Sequence, residues 1–347
     1  MSNKTIILID CQVAGIAGNM LVGALLDLGA DMSKVTGAME AARDFVNGCN
    51  SIEVVVKDVI QRGFRAKEVN VVIDEEYDHR TGLEIMNAVK NCVDYLNLSD
   101  KASEMALGSI RTLMEAEVNV HGAALEDVHL HELGSADTVA DIVGAVTALE
   151  DLVSLKDTLI CSTPVAVGGG LIKISHGIVP VPSPATLEIL RSRNFPMIGG
   201  PVEAELTTPT GASLLVNLTS KPVPFYPMMQ AEAVGFGAGG ADLEAIPNLV
   251  RVILGKPSGH ASISDEIYVL ETNVDDVTGE VIGHVVERLS RAGVREVCVI
   301  PVFTKKNRPG QIIKAIVSKE DVGKISRLMM EELGTLGVRV IPCYTMG

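Results

Sequence analysis

The chain is 347 residues long, 47% hydrophobic and 21% charged, which excludes intrinsic disorder and leaves room for about two domains of ~100–200 residues each. Lys and Arg number 29 against 44 Asp and Glu, and the resulting charge of −15 makes nucleic acid and anionic membrane surfaces poor partners for the protein as a whole. Aromatic residues make up 3% with no Trp, so stacking platforms are scarce, while 33 Gly and 15 Pro suit a mixed α/β enzyme better than a helical bundle.

Residues 5–9 are an apolar run that Asp10 ends too early for a signal sequence. A loop with Gly15 and Gly18 leads into a helix over 19–28, with Met20, Leu21, Ala24, Leu25 and Leu28 on one side and Gly29 as its stop. Strand, glycine loop and helix can build an anion site, but the spacing fits neither a dinucleotide fingerprint nor a Walker loop, and a tight turn is the plainer reading. Two strands follow over 52–56 and 69–73, then helices over 82–96 and 100–117, the second capped by Ser99. After the motif His129-Leu130-His131-Glu132-Leu133-Gly134, an amphipathic helix covers 136–152. The middle, 158–250, has short β-like runs and two helix starts, Ser183-Pro184 and Thr208-Pro209. A linker is expected over 255–264. Beyond it the order is strand 267–274, helix 279–292, strands 297–302 and 312–317, helix 321–333 and strand 338–343. We therefore expect a mixed α/β domain over 1–255 and a ferredoxin-like βαββαβ domain over 265–347, an α/β (α+β) chain.

Cys11, Cys49, Cys92, Cys161, Cys298 and Cys343 are far apart and form no CxxC pair, so neither a zinc ribbon nor a disulfide scaffold is implied. They read mostly as small buried hydrophobes in a reducing compartment. No uncharged stretch is long and unbroken enough for a membrane span, and the expectation is a soluble, cytoplasmic protein.

Two constellations could carry chemistry. His129 and His131, two apart in a β-like run, leave one face, and Asp137 and Asp141 share a helix face four apart. Imidazoles beside a carboxylate pair suit a divalent transition metal such as nickel or zinc. His176 is a third imidazole, and Asp10 with Cys11 ends a strand where α/β sites gather. His79, His121, His260 and His284, taken singly, read as structural. Near the other end, Asp275, Asp276 and Glu280 offer oxygen ligands for Mg²⁺ or Mn²⁺. Lys305, Lys306 and Arg308 in one turn, with Arg339, add the cations that hold polyphosphate. A capped helix beside a solvated charged hairpin accounts for that second group equally well.

The ordered motifs resemble one family along nearly the whole chain. They are Asp10…Gly15-Ile16-Ala17-Gly18-Asn19-Met20, the 129–134 motif, Asp137…Asp141-Ile142-Val143-Gly144 and His176-Gly177…Pro180-Val181-Pro182. They continue through Leu206-Thr207-Thr208-Pro209-Thr210-Gly211-Ala212, Gly235-Phe236-Gly237-Ala238-Gly239, Glu271-Thr272-Asn273-Val274-Asp275-Asp276, the 305–310 turn and Thr335-Leu336-Gly337-Val338-Arg339. Together they are similar to the nickel-insertion (LarC) family of the nickel-pincer cofactor pathway. The resemblance implies a CTP-hydrolysing lyase that places Ni²⁺ into pyridinium-3,5-bisthiocarboxylic acid mononucleotide, assisted by Mn²⁺ or Mg²⁺, for a recipient enzyme of the lactate racemase type. On that basis Asp275, Asp276 and Glu280 are assigned to the divalent ion, and Asn273, Lys305, Lys306, Arg308 and Arg339 to CTP. His131 or His176 becomes the base that takes the ring proton, and His129, His131, Asp137, Asp141 and Asp10 become candidate nickel ligands. The helix start at Thr210 and Gly211 becomes a site for a substrate phosphate or carboxylate. A homo-oligomer is expected. The chain departs from the family in having no His-rich tract. It also ends at Gly347, where members commonly continue, so either a short member or a chain lacking part of its nucleotide site is expected. A nickel carrier without CTP turnover, and a metal-dependent hydrolase using His129, His131, Asp137 and Asp141, remain as competing readings.

Overall fold

The computed structural model describes residues 5–77, 80–122, 124–125, 134–175, 177–258 and 267–343, together with the backbone of 129–130; at 306 it describes the backbone only. The chain divides into two compact units between Pro257 and Ser258.

In the first unit the opening apolar run is the strand Thr5–Asp10, inside a seven-stranded mixed sheet. Across that sheet the strands are Lys221–Pro222, Thr158–Ser162, Thr5–Asp10, Leu249–Pro257, Met229–Ala238, Phe64–Glu75 and Cys49–Gln61. Thr5–Asp10 runs parallel to Thr158–Ser162 and antiparallel to Leu249–Pro257. Side chains alternate, so Ile7 and Ile9 enter the main core while Leu8 joins Cys161 and Ile253 on the other face. Burial on both faces is why the run is continuously apolar.

The helices of this unit are α1 (Gly18–Leu28), α2 (Met32–Ala41), α3 (Gly82–Leu96), α4 (Asp100–His121), α5 (Ala136–Leu152), α6 (Pro184–Ser192) and α7 (Pro209–Leu218). α1 packs on the sheet and also on α5, so Val22 and Leu26 are buried along with the side expected from the pattern. Local chemistry sets several starts. Thr81 and Glu84 form a capping box for α3, Ser99 caps α4, and Thr208 caps α7 with Pro209 in its first turn. Ser183 precedes α6 as expected, but its hydroxyl donates to Thr186 Oγ1 at 3.0 Å and makes no cap bond.

The two strands expected over 52–56 and 69–73 are longer, Cys49–Gln61 and Phe64–Glu75, joined at Arg62 and Gly63. Both turn residues have positive φ, 49° and 89°, the mirror-image turn whose twist matches a hairpin. Charged residues hid the extension, and two of them, Lys67 and Asp58, pair across the strands at 2.9 Å. The strand Leu249–Pro257 likewise runs through Gly255, where a linker was expected to begin.

The second unit runs strand Ile267–Val274, helix α8 (Gly279–Arg291), strands Glu296–Phe303 and Pro309–Ser318, helix α9 (Val322–Leu333) and strand Arg339–Cys343. Its sheet order is Glu296–Phe303, Pro309–Ser318, Ile267–Val274, Arg339–Cys343, with every neighbour antiparallel. Leu270, Ile313, Ala315 and Val317 on one face meet Ile282, Val285 and Leu289 of α8 and Ile325, Met329 and Leu333 of α9. Among the described residues no helix is long and apolar enough to cross a membrane.

Candidate functional site

α5 begins directly after the 129–134 motif, and its first two turns carry Asp137 and Asp141. The Asp141 carboxylate lies against the N-terminus of α1, where the backbone N–H of Asn19 donates to it. Gly18 makes this approach possible, because a Cβ there would stand 2.3 Å from Asp141 Oδ2. The other oxygen, Oδ1, is buried with no hydrogen-bond partner among the described residues. Burial first, and the negative Asp137 second, hold the Asp141 carboxyl well above the usual carboxylate range. Asp137 keeps contact with solvent but is hemmed in by protein, which raises its carboxyl too; Glu75 adds to the rise, and the N–H of Thr138, donating at 2.6 Å, opposes it. Two crowded carboxyls, one with an unpartnered buried oxygen, favour a proton or a cation between them.

His129 pairs through its backbone with Thr81. The side chain of His129, and His131, Glu132 and His176 entirely, lie outside the described residues. The imidazoles expected to complete a nickel site therefore do. Among the described residues no group of three or more His, Cys, Asp or Glu could hold a metal ion.

The loops at the carboxyl ends of the central strands are tied together beside this carboxylate. Ile16 N–H donates to the Leu206 carbonyl at 3.0 Å, Thr208 N–H to the Ile16 carbonyl at 3.1 Å, and Thr207 Oγ1 to the Ala166 carbonyl at 2.7 Å. Gly15, at φ 65°, is pressed on the Leu206 and Ala166 carbonyls where no side chain fits. This strapping carries the start of α7 to the start of α1. Thr210 is buried, and the Gly211 N–H is taken up by Thr208 Oγ1 at 3.1 Å. At Gly211 the helix start packs on Ile16 and Ala17, so that N–H is not presented to an anion.

Asp10 is placed elsewhere. It alternates with Ile9, so its side chain leaves the sheet face opposite the one α1 covers. There it pairs with Arg251, its register partner on Leu249–Pro257, with Nε at 3.1 Å. It also accepts a hydrogen bond from the Tyr226 hydroxyl and a 3.5 Å contact from Thr163 Oγ1. Burial and the Asp10 charge push the Tyr226 phenol up to about 12. Burial likewise pushes the Cys11 thiol up to about 12, leaving it neutral. The structure thus brings Asp137 and Asp141 together and leaves Asp10 in an ion pair on the other side of the sheet.

In the second unit, Asp275 follows the first strand and lies against the hairpin turn that carries Lys305 and Arg308. Its Cβ approaches Gly310, and Thr304 Oγ1 donates to its Oδ2 at 3.4 Å. Asp276 and Glu280 are exposed and have no partner among the described residues. The α8 N-cap, Thr278, makes no side-chain cap bond, so the first N–H groups of that helix are open to an anion. A cavity of about 320 Å³ lies between Asp275, Val277, Phe303 and Gly310. Arg339 is tied to Glu271 at 2.8 Å and to Asn273, and Lys314 shares Glu271 at 2.9 Å. Asp275, Asp276 and Glu280 do not gather into a group of three that could hold a metal ion, so at most two of them fit Mg²⁺ or Mn²⁺, whose other ligands would be water and phosphate oxygens. The Lys306 side chain lies outside the described residues.

The sequence profile of the nickel insertion protein family matches residues 7–346. The chain belongs to that family. A relative from Methanothermobacter thermautotrophicus, also named for nickel insertion, is 44% identical over 334 residues, 96% of this chain and 78% of its own. The pyridinium-3,5-bisthiocarboxylic acid mononucleotide nickel insertion protein of Acetivibrio thermocellus is 36% identical over 339 residues, 96% of this chain and 81% of its own. Among solved structures, the C-terminal domain of a cyclometallase involved in synthesis of the NPN cofactor of lactate racemase matches at 32% identity. That match covers 23% of this chain and 56% of that one, with a TM-score of 0.23.

Sequence reasoning missed two residues that organise this nickel insertion family member. Arg80 is 2% exposed; it donates to Glu75 at 2.8 Å and to the Gly134 carbonyl at 2.6 Å, while its backbone pairs with Leu130. It therefore grips both flanks of the histidine motif, and Glu75 in turn receives Ser135 Oγ at 2.8 Å, just before α5. Arg251 orients Asp10. Neither arginine stands in a local pattern that would have marked it, because Gly134 and Asp10, which they hold, are remote in sequence.

Proposed function

We propose that this protein inserts Ni²⁺ into pyridinium-3,5-bisthiocarboxylic acid mononucleotide in a CTP-dependent reaction, forming the nickel-pincer cofactor for a lactate racemase-type enzyme. Family membership supports the nickel chemistry. The observation that carries the reading to residues is the unpartnered buried oxygen of Asp141 beside Asp137 at the mouth of α1. Nickel is the cargo here, and it must be held by donors that release it. Two carboxylates with imidazole from His129 or His131 form such a set, borderline in softness and open to exchange with sulfur. Forming the nickel–carbon bond requires a ring proton to leave, and His131 or His176 is the proposed base.

The second unit, read as a ferredoxin-like domain from its 4-1-3-2 strand order, is the proposed seat of CTP. Asp275 with Asp276 or Glu280 would hold Mg²⁺ or Mn²⁺, which neutralises phosphate charge when bound, and Lys305, Lys306 and Arg308 would contact the triphosphate. The experiment is cofactor formation from nickel, substrate and CTP, with CTP omitted in parallel. Formation that depends on CTP supports the insertase. Equal formation without CTP refutes the nucleotide-driven step and favours a nickel carrier.

A further inference from the structure

Ser135 stands at the N-cap of α5 in extended backbone, φ −80° and ψ 156°, where a serine ordinarily accepts a hydrogen bond from the first turn of its helix. Here it makes no such bond. Its hydroxyl donates instead to Glu75 Oε1 at 2.8 Å, 60 residues back along the chain, and lies within hydrogen-bonding reach of the Asp137 carboxyl. The start of α5 thus forgoes a local cap for a link to the strand Phe64–Glu75. That link ends on a fixed point. The other Glu75 oxygen takes Arg80 Nη1 at 2.8 Å, and the guanidinium is held from three further sides. Nε donates to the Asn47 carbonyl at 2.8 Å, Nη1 also donates to the Gly134 carbonyl, and the cation stands 5.3 Å from the centre of the Tyr77 ring. The arginine side chain is 1% exposed and the glutamate 13%, so neither charge can swing away without leaving the other buried and unpaired.

We propose that Ser135 is a positioning residue for Asp137, and that through it the Arg80–Glu75 pair fixes how the Asp137 carboxylate is aimed beside Asp141. The inference rests on the reading of these two aspartates as nickel donors. Metal–ligand distances hold to about 0.2 Å, so the direction of a carboxylate decides whether it can serve. Asp141 is aimed by the Asn19 N–H at the start of α1. Asp137 is held at Oδ1 by the Thr138 N–H, and a carboxylate with one contact can still turn about it. The Ser135 hydroxyl supplies a second. It carries one proton, and Arg80 already answers the Glu75 charge, so that proton can turn to Asp137 without leaving Glu75 unpartnered. A cap bond in its place would serve α5 and do nothing for Asp137.

The test is Ni²⁺ titration of the full chain against a chelating dye, with a thermal melt of each variant. S135A removes the hydroxyl, S135T returns it on another side chain, and D137N is measured in parallel. S135A gives up no cap bond and should remain folded. It should weaken Ni²⁺ binding about tenfold, the lower end of what losing an outer partner of a metal ligand costs, and S135T should recover most of that loss. If S135A binds Ni²⁺ like wild type while D137N does not, Ser135 serves the fold alone and the proposal is overturned, whatever the melts show. S135T binding no better than S135A overturns it as well. Unchanged Ni²⁺ affinity in D137N is a different failure: it removes Asp137 from the nickel donors and takes this inference with it.

Discussion

Replacing Gly18 with Ala tests the Asp141 assignment through geometry. The new Cβ would lie 2.3 Å from Asp141 Oδ2, 2.7 Å from its Cβ and 2.8 Å from its Cγ. Ordinary carbon contacts begin near about 3.5 Å, so the gap must open by roughly 1 Å. Rotating the carboxylate cannot open it, since the Asp141 Cβ itself is in the way; α1 and α5 have to separate. Overpacking of this kind costs about 1–3 kcal/mol. At about 2–4 °C per kcal/mol for a unit of this size, Tm should fall by about 2–12 °C. Metal–ligand distances tolerate only about 0.2 Å, so the displaced oxygen should weaken Ni²⁺ binding about 10- to 100-fold. The control is G144A, on the same helix, whose Cβ crowds the buried Met39 side chain, Cγ at 2.5 Å and Sδ at 2.8 Å, and leaves Asp141 in place. Thermal melts by circular dichroism and Ni²⁺ titration against a chelating dye give both quantities. If G18A loses stability but binds Ni²⁺ like G144A, Asp141 is not a nickel donor.

Asp141→Asn should raise Tm at pH 7 and remove nickel binding. The folded carboxyl titrates well above its unfolded range, so the Asp141 contribution to stability is fullest below about pH 4 and is lost as pH rises through the folded value. The advantage of Asn should therefore shrink in melts run towards acid, and a constant difference would refute the burial argument. Nickel must displace the protons of the same pair, so its affinity should fall as pH is lowered, read by the same dye titration. Lys305→Ala and Arg308→Ala should weaken CTP binding while leaving Ni²⁺ binding alone; unchanged CTP affinity would return the turn to a solvated hairpin. His129→Ala with His131→Ala should lower nickel transfer with CTP binding intact, measured by cofactor formation and nucleotide titration.

What could be read in advance was what local physics encodes. α8 showed itself through Ile282, Val285 and Leu289, spaced to one side of a helix whose other side is polar, and α7 through Thr208-Pro209 at its cap. The Asp137 and Asp141 pair followed from four-residue spacing. Nothing local announced that Leu249–Pro257 would lie beside Thr5–Asp10, some 240 residues away, or that Arg251 would therefore claim Asp10. The admission of Asp141 by Gly18 was equally hidden, because it depends on how closely two helices pack. The Thr210–Gly211 helix start was found, but its free donors were overestimated, since the straps from Ile16 and Thr208 bury it.

The charge distribution sharpens in the same way. Residues 301–347 hold eight Lys and Arg against four Asp and Glu, which leaves −19 on the first 300. That contrast overstates the cations ready for a polyphosphate. Lys314 and Arg339 both converge on Glu271, whose carboxyl they hold below its usual range, Lys314 more strongly than Arg339. Lys305 and Arg308 have no carboxylate partner among the described residues, and Asp275 meets their turn through Thr304. The Arg339–Glu271 pair is half open to solvent on the arginine side, and exposed pairs contribute only about 0–1 kcal/mol. A triphosphate, with several charges and bidentate geometry, outcompetes one shared carboxylate for that guanidinium. If the second unit binds CTP as proposed, Arg339 would be an exchangeable contact, released from Glu271 when nucleotide arrives, and Lys305 and Arg308 would provide the standing attraction.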